Sequence, residues 1–272
     1  MTRTNTAADR DQLTFQNPVT RYPTVEPPIQ HQPEPGLDAE LEPEADHGES
    51  SYRGTGRLTG RKALITGGDS GIGAAVAIAF AREGGDVALN YLPDEQADAD
   101  RIREIIEREG RKAVLLPGDL TDKALCSSVV SDTVDGLGGL AMFRITKAAL
   151  AHLTPGSTII NTTSIEAYQP APNLLDYASA KAAINNFTKG LAQQLATKGI
   201  RVNAVAPGPI WTPLQVSDGQ EKEDLPKFDQ VSPMGRAGQP TELAPAYVFF
   251  TSSESSYVIG ETLHVNGGMP TP

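Results

Sequence analysis

The chain has 272 residues, of which 39% are hydrophobic, and a formal net charge of −11. This length suits one α/β domain with an appended segment. The negative charge argues against nucleic acid and anionic membranes as partners, because both need a dense Lys/Arg face. No apolar run approaches the roughly 20 residues of a membrane span, and the first residues lack the apolar core of a signal peptide. We therefore expect a cytoplasmic protein.

The first 50 residues differ in composition from the rest. They contain seven prolines and carry ten Asp/Glu against three Arg. Two interpretations stay open: a disordered acidic tail, or an extended arm laid across the folded body or a neighbouring subunit. The apolar residues that would anchor such an arm are Tyr22, Pro23, Val25 and Ile29. We expect an extension over 1–55 and a domain over 56–272. Because this composition buries little apolar surface, we expect residues 1–50 to be dispensable for folding of the core.

From about Leu58, β-branched runs alternate with stretches of helical periodicity. The predicted strands are 62–66, 86–91, 112–120, 157–164, 201–208 and 262–268. The predicted helices are 72–84, 94–109, 123–136, 141–153, 176–198 and 240–252. This alternation is typical of an α/β fold with a doubly wound, Rossmann-like parallel sheet.

A glycine-rich turn joins the first strand to the first helix. Such a turn lets the backbone approach a pyrophosphate, which free N–H groups at the helix N-terminus then hold. The glycines alone would fit a structural tight turn equally well, but the strand before them and the helix after them favour dinucleotide binding. The candidate cofactor-binding residues here are Gly67, Asp69, Ser70, Gly71, Ile72 and Gly73.

Ribose specificity is set near the end of the second strand, where an acid favours NAD and a base favours NADP. The sequence has Asn90 and Tyr91 there, and therefore neither signal. The lack of a carboxylate favours NADP slightly, and we keep both cofactors. Cys126 is the single cysteine, so no internal disulfide is expected, and the four histidines show no metal-site spacing. We predict no metal.

Ser164 ends the fourth predicted strand, and Tyr177 and Lys181 follow. Residues at i and i+4 share one face of a helix, so the ammonium can approach the phenol and lower its pKa toward a working range. Ser164 would then bind the substrate oxygen while Tyr177 exchanges its proton. A Tyr-x-x-x-Lys spacing alone fits an exposed helix pair; the glycine turn and the serine favour a catalytic set.

These motifs resemble the short-chain dehydrogenase/reductase family. The resemblance is carried by TGGDSGIG at 66–73, Ser164 with YASAK at 177–181, and NAVAPG at 203–208. Longer stretches, including AYQPAPNLLDYASAKAAI and the proline-rich arm, resemble the bacterial general-stress or glucose/ribitol-dehydrogenase-like subgroup. The resemblance implies hydride transfer between NAD or NADP and an alcohol or carbonyl carbon of a small substrate. It also implies a homotetramer or homodimer.

The resemblance extends the site. Asp119 and Leu120 would contact the adenine, although Asp119 equally suits a helix N-cap. Tyr177 and Lys181 would also contact the cofactor. The residues that follow the fifth strand and would line the nicotinamide are Pro207, Gly208, Ile210 and Thr212. The segment 209–239 would form a substrate lid, with Trp211, Leu214 and Gln215 as candidates, although Trp211 suits packing as well.

The chain departs from the family pattern after Gly138-Gly139-Leu140. The family would continue with a fourth strand and an Asn that completes an Asn-Ser-Tyr-Lys tetrad, whereas this chain passes directly to a helix at Ala141. Asn185 and Asn186 lie beyond Tyr177 and do not replace that Asn. We therefore expect one parallel sheet of six strands. A second interpretation follows: a catalytically impaired relative that acts as a dinucleotide-binding or assembly protein.

Overall fold

The computed structural model describes residues 11–122, 141–220, 222–230 and 232–271. The chain forms two compact units, one of Met1–Asp119 with Pro209–Val248 and one of Leu120–Gly208 with Phe249–Pro272. The strands are β1 (Lys62–Thr66), β2 (Asp86–Tyr91), β3 (Ala113–Pro117), β4 (Thr158–Thr162), β5 (Arg201–Pro207) and β6 (Thr262–Val265). The α-helices are α1 (Gly71–Arg82), α2 (Gln96–Arg108), α3 (Ala141–Ala149), α4 (Leu175–Leu195) and α5 (Ala244–Thr251).

All six predicted strands form, and five of the predicted helices form with shifts at their ends. The predicted helix 123–136 lies outside the described residues. The strands are β-branched or apolar runs, and their neighbours are parallel throughout both sheets. The α/β, Rossmann-like class is therefore confirmed.

In the first unit, β2 is the central strand of the order β1-β2-β3. Its register pairs Thr66 with Asn90, and Asn90 with Leu116. Five of its six residues are buried, as expected for a parallel strand with a neighbour on both sides. Helix α1 consists mainly of small apolar residues that are buried. This packing fixes the glycine turn between β1 and α1.

In the second unit, β5 is central in the order β4-β5-β6. Six of its seven residues are buried. Helix α4 packs against β5 and β4, and its apolar face joins a core of Leu191, Ala192, Leu195, Ile200 and Val202. Ser164 follows β4, so this packing aligns it with the helix that carries Tyr177.

The expected six strands are present in the described part of the chain, but they do not pair as one sheet. The described strands form two three-stranded sheets, in which β1 and β4 are edge strands. Strand β1 is exposed at Lys62 and Thr66 and only half-buried between them, unlike β2. The sequence departs from the family pattern between β3 and β4, where the family would place a further strand.

The N-terminal segment is an ordered arm over residues 11–55, so the interpretation as a disordered tail does not hold there. Tyr22 and Val25 are buried as anchors, whereas Pro23 and Ile29 are exposed. Val25 and Leu41 belong to one apolar cluster with Trp211, Val216, Leu225, Phe228 and Ala237. The arm therefore does bury apolar surface, against the segment 209–239 of its own unit.

None of the helices in the described ranges is both long and apolar enough to cross a membrane.

Candidate active site

The glycine turn is close-packed on one side and open on the other. A Cβ placed on Gly73 would lie 1.7 Å from the carbonyl oxygen of Gly67, so only glycine fits there. Gly67 has a φ of 60°, and a Cβ on it would meet nothing within 4 Å. The backbone N–H of Gly68 donates to the carbonyl of Asn90 at 3.1 Å and ties the turn to β2. The turn thus presents bare backbone at the start of α1, as a phosphate site requires.

Gly71 and Thr212, which were both predicted to bind the cofactor but lie far apart in the sequence, are in contact at this turn. Thr212 is buried, and a Cβ on Gly71 would lie 3.1 Å from its methyl carbon. Ser70 is the N-cap of α1 and makes no side-chain cap hydrogen bond. Ser70 and Ile72 are half-buried. The structure therefore brings Thr212 against the glycine turn.

The side chains at the end of β2 are engaged within the protein. The buried Asn90 amide donates to the carbonyls of Leu116 and Gly118, each at 3.0 Å. The hydroxyl of the buried Tyr91 donates to Gln96 at 2.7 Å. After β3, Asp119 is exposed and Leu120 is half-buried. Asn90 and Tyr91 therefore shape this edge of the sheet.

Buried carboxyl groups gather at the glycine turn. Asp69, Glu95 and Asp98 are buried, and neither carboxyl oxygen of Asp69 has a hydrogen-bond partner in the described part of the chain. Burial and then the nearby Glu95 raise the pKa of Asp69 to about 7. The slight preference for NADP drawn from the end of β2 stays a prediction.

The arm contributes charged groups to the same region, which sequence reasoning missed. The carboxylate of Asp38 accepts from the backbone N–H of Gly71 at 2.9 Å and lies 3.0 Å from His47 Nε2. Burial opposes charge on His47, but Asp38 and Glu49 raise its pKa to about 9. The only sequence signal for these contacts was the clustering of acidic residues in a proline-rich stretch.

The second unit brings the predicted catalytic residues together. Ser164 is buried directly after β4, and its Oγ accepts from the backbone N–H of Glu166 at 3.2 Å. Lys181 Nζ lies 5.4 Å from the centre of the Tyr177 ring and donates to the carbonyl of Thr162 at 3.2 Å. The carbonyl of Lys181 accepts from Thr163 Oγ1 at 2.8 Å. These bonds join the end of β4 to α4.

The electrostatics of this set differ from the sequence-based expectation. Burial raises the pKa of Tyr177; the Ser164 hydroxyl opposes this rise, and the Glu166 carboxylate adds to it. Burial also lowers the pKa of Lys181. We expected Lys181 to lower the pKa of Tyr177, and the net direction is the opposite, because desolvation of the half-buried phenol dominates.

The turn after β5 approaches another backbone segment closely. A Cβ on Gly208 would lie 2.7 Å from the backbone of Asn266, so the second unit needs glycine here. Pro207 is buried at the end of β5. In the first unit, Ile210 is buried and pairs with Gly238 in an isolated bridge. The side-chain oxygen of Asn185 accepts a hydrogen bond from the hydroxyl of Thr262 at 2.7 Å.

The lid assignment of Trp211 is wrong. Its side chain is fully buried in the arm cluster, and Nε1 donates to the carbonyl of Pro43 at 2.7 Å. Leu214 is exposed and Gln215 is half-buried, and a lid role for these two stays a prediction. Trp211 is a packing residue because the arm, rather than solvent, covers its segment.

Comparison with known proteins decides the family. A model described as short chain dehydrogenase matches residues 61–143, and one described as enoyl-(acyl carrier protein) reductase matches residues 140–270. The uncharacterized oxidoreductase YhxD of Bacillus subtilis is 51% identical over 94% of this chain and 97% of that protein. The chain belongs to the short-chain dehydrogenase/reductase family of oxidoreductases.

Two further proteins are similar to this short-chain dehydrogenase/reductase. General stress protein 39 of Bacillus subtilis is 43% identical over 92% of this chain and 98% of its own length. A short chain dehydrogenase from Burkholderia cenocepacia, solved in complex with NADP, superimposes with a TM-score of 0.69 and 29% identity. That match covers 78% of this chain and 98% of the Burkholderia chain.

The alignment with YhxD also measures the departure from the family. It spans 291 positions but contains 94% of this chain, which is about 256 of 272 residues. About 35 of the 291 positions therefore have no residue in this chain. The two family models meet at residues 140–143, at the junction where the sequence passes directly to α3.

Proposed function

We propose that this protein is an NAD- or NADP-dependent oxidoreductase that transfers a hydride between the nicotinamide and an alcohol or carbonyl carbon of a small substrate. The observation that carries the proposal is the joint placement of Ser164, Tyr177 and Lys181 around the end of β4 and the first turns of α4. Dehydrogenation needs a group that exchanges a proton with the substrate oxygen, and Tyr177 is the candidate.

The glycine turn fits a dinucleotide. The bare backbone at Gly67 and the lack of room for a side chain at Gly73 suit the close approach of a pyrophosphate. The backbone N–H of Gly71 is already donated to Asp38. When bound, the nicotinamide supplies or accepts the hydride. Both NAD and NADP stay candidates, because the end of β2 carries neither an acidic nor a basic residue to select the ribose.

The chain's own residues then perform the proton chemistry. In the direction of carbonyl reduction, the Tyr177 hydroxyl donates its proton to the substrate oxygen while Ser164 Oγ–H holds that oxygen. In alcohol oxidation, the Tyr177 oxygen accepts that proton. Lys181 Nζ, held by the Thr162 carbonyl, places positive charge over the tyrosine ring. We also propose assembly into a homodimer or homotetramer, which light scattering can test.

Deuterium transfer tests this function directly. The purified full chain is incubated with NADH or NADPH that carries deuterium at the transferable position, together with small aldehydes, ketones and sugars. The expected result is an alcohol with one deuterium on the former carbonyl carbon, formed with at least one of the two cofactors. Tight dinucleotide binding without deuterium transfer to any substrate would overturn the proposal and favour a purely binding role.

A further inference from the structure

The N-terminal arm holds a carboxylate at the start of α1. Asp38 begins the short 3-10 turn Asp38–Glu40, and its side chain is buried. Its Oδ2 accepts a hydrogen bond at 2.9 Å from the backbone N–H of Gly71, the first residue of α1. The N-terminus of a helix binds anions because free N–H groups and the positive end of the helix dipole lie there. An internal anion therefore already takes an N–H group of the helix at which we place the pyrophosphate.

Two cations lie close to the same oxygen of Asp38. His47 Nε2 is 3.0 Å from Oδ2, and Arg101 Nη2, from α2, is 3.5 Å from it. Burial lowers the pKa of His47, but Asp38 and Glu49 raise it further, to about 9, so the imidazole is charged at neutral pH. We call the Gly71 N–H, His47 and Arg101 the anion cradle. A phosphate oxygen accepts from N–H groups and cations of this kind as readily as a carboxylate does.

The carboxylate satisfies the anion cradle incompletely. Within the described ranges, neither Asp38 Oδ1 nor His47 Nε2 has a hydrogen-bond partner, although both atoms are buried. The His47 side chain is only 3% exposed, so water does not readily replace the missing bond. Since Nε2 and Oδ2 are close enough for a hydrogen bond, it is the angle that prevents one. A phosphate group offers acceptor oxygens in more directions than this carboxylate does.

Nearby carboxyl groups do not decide between the two anions. Asp98 accepts from the backbone N–H of Asp38 at 2.8 Å, and Glu95 is close enough for the charge of Asp38 to raise its pKa in addition to the effect of burial. Both groups repel a carboxylate and a phosphate alike. The difference between the anions therefore lies in how each one fits the anion cradle.

We propose that the arm is an internal competitor of the dinucleotide: a phosphate oxygen replaces the Asp38 carboxylate at the Gly71 N–H, and the segment around Asp38 leaves the anion cradle when the dinucleotide binds. This inference rests on the proposed function, because it needs a dinucleotide whose pyrophosphate approaches the glycine turn. The arm then stabilises the free protein and lowers its affinity for the cofactor. Coupling between two binding events is reciprocal, so a bound phosphate loosens the arm as much as the arm weakens phosphate binding.

Calorimetric titration of the full chain with ADP and with adenosine separates the effect of the phosphates from that of the nucleoside. Asp38→Asn keeps the shape of the side chain and removes the competing charge. It should bind ADP about 10-fold more tightly than the wild type, because a charged hydrogen bond no longer has to be broken. Adenosine affinity should stay unchanged. A purely structural role of Asp38 would act in the opposite direction, because a loosened glycine turn binds ADP more weakly.

The matched control is Glu40→Gln, which removes an exposed negative charge from the same short turn. It should change neither affinity, and this excludes a general effect of net charge. An ADP affinity that is unchanged or lower in Asp38→Asn would contradict the competition, and so would an equal gain for adenosine. If the wild type binds no ADP, binding that appears only in Asp38→Asn supports the competition, whereas two proteins that do not bind ADP contradict it.

The deuterium-transfer experiment keeps this inference distinct from the proposed function. Equal ADP affinity in wild type and Asp38→Asn, together with deuterium transfer, refutes the competition and leaves the oxidoreductase function standing. Tighter ADP binding in the variant without deuterium transfer has the opposite meaning.

Hydrogen exchange in the wild-type chain provides a second readout that needs no variant. The backbone N–H of Asp38 is held by Asp98, and that of Leu41 donates to the Asp38 carbonyl at 3.2 Å. Saturating ADP should speed amide exchange in the segment 37–42, whereas adenosine should leave it unchanged. A bound ligand usually protects the segments that it contacts, so faster exchange is specific to displacement of the arm. Unchanged or slower exchange in this segment with ADP bound would refute the proposal.

Discussion

The carboxylate of Asp38 accepts a hydrogen bond from the backbone N–H of Gly71 at 2.9 Å. The bond joins the proline-rich arm to the first residue of α1, where a negative charge is favourable because the helix N-terminus is the positive end of its dipole. The backbone N–H of Asp38 also donates to Asp98 at 2.8 Å. The arm is therefore part of the structure that holds the glycine turn.

The first prediction concerns the stability that this arm contributes. Asp38→Asn should lower the free energy of unfolding by about 2 kcal/mol, because a buried charged acceptor is lost while its partners stay buried. Thermal unfolding measures the effect. Glu40→Gln, an exposed change in the same short turn, should be neutral.

Removal of residues 1–50 should destabilise the protein far more than Asp38→Asn does. It exposes the apolar cluster around Trp211 and removes the Pro43 carbonyl that accepts the indole N–H. This reverses the sequence-based expectation of a dispensable arm. A truncated chain with an unchanged melting temperature would support the earlier expectation instead.

The second prediction separates two glycines of the same turn. Gly73→Ala should abolish dinucleotide binding, because its Cβ would overlap the Gly67 carbonyl. Gly67→Ala has open space around the new methyl group and only the strain of a positive φ, which costs about 1 kcal/mol. Titration of both variants with NADH fluorescence provides the comparison. Similar affinities in the two variants would contradict the role given to the turn.

The third prediction concerns Asp69 and pH. Its pKa is raised in the folded protein from the ordinary 3.8 to about 7, so the folded state holds this proton more tightly than the unfolded state. The contribution of Asp69 to stability is therefore present at low pH and is lost as the pH rises through about 7. Asp69→Asn removes the buried charge and should raise the melting temperature at pH 8, by about 3 °C for each kcal/mol recovered.

At pH 5 the gain in melting temperature should be smaller than at pH 8, because Asp69 is then still protonated in the folded state. The exposed Asp94→Asn serves as the control and should show no pH-dependent gain. A constant difference between Asp69→Asn and wild type at both pH values would show that ionisation of Asp69 does not limit stability.

Local patterns in the sequence predicted the positions of the strands and of the glycine turn. They also placed Ser164, Tyr177 and Lys181 near one another, and the catalytic roles of these residues stay predictions. Each depends on spacing within a few residues, such as the helical interval between Tyr177 and Lys181. Contacts between distant segments were not accessible in this way. The bonds from Asp38 to Gly71 and from Trp211 to Pro43 join residues 33 and 168 positions apart, and no periodicity marks them.

Electrostatic properties were predicted least well. The direction of the Tyr177 pKa was missed because it depends on how deeply the phenol is buried and on Glu166, which comes from a separate turn. The buried carboxyl of Asp69 was missed for the same reason: its sequence neighbours are glycine and serine, and its charged neighbour Glu95 lies 26 positions away.

Comparison of the wild-type chain with Tyr177→Phe tests the central claim most directly. The exchange keeps the ring and removes only the hydroxyl, so NADH affinity and melting temperature should stay unchanged. We expect kcat for reduction of a small carbonyl substrate to fall by about 100-fold or more, the usual contribution of a general acid. A Tyr177→Phe protein that retains more than about a third of the wild-type kcat would contradict the proposed role of Tyr177 as the proton donor.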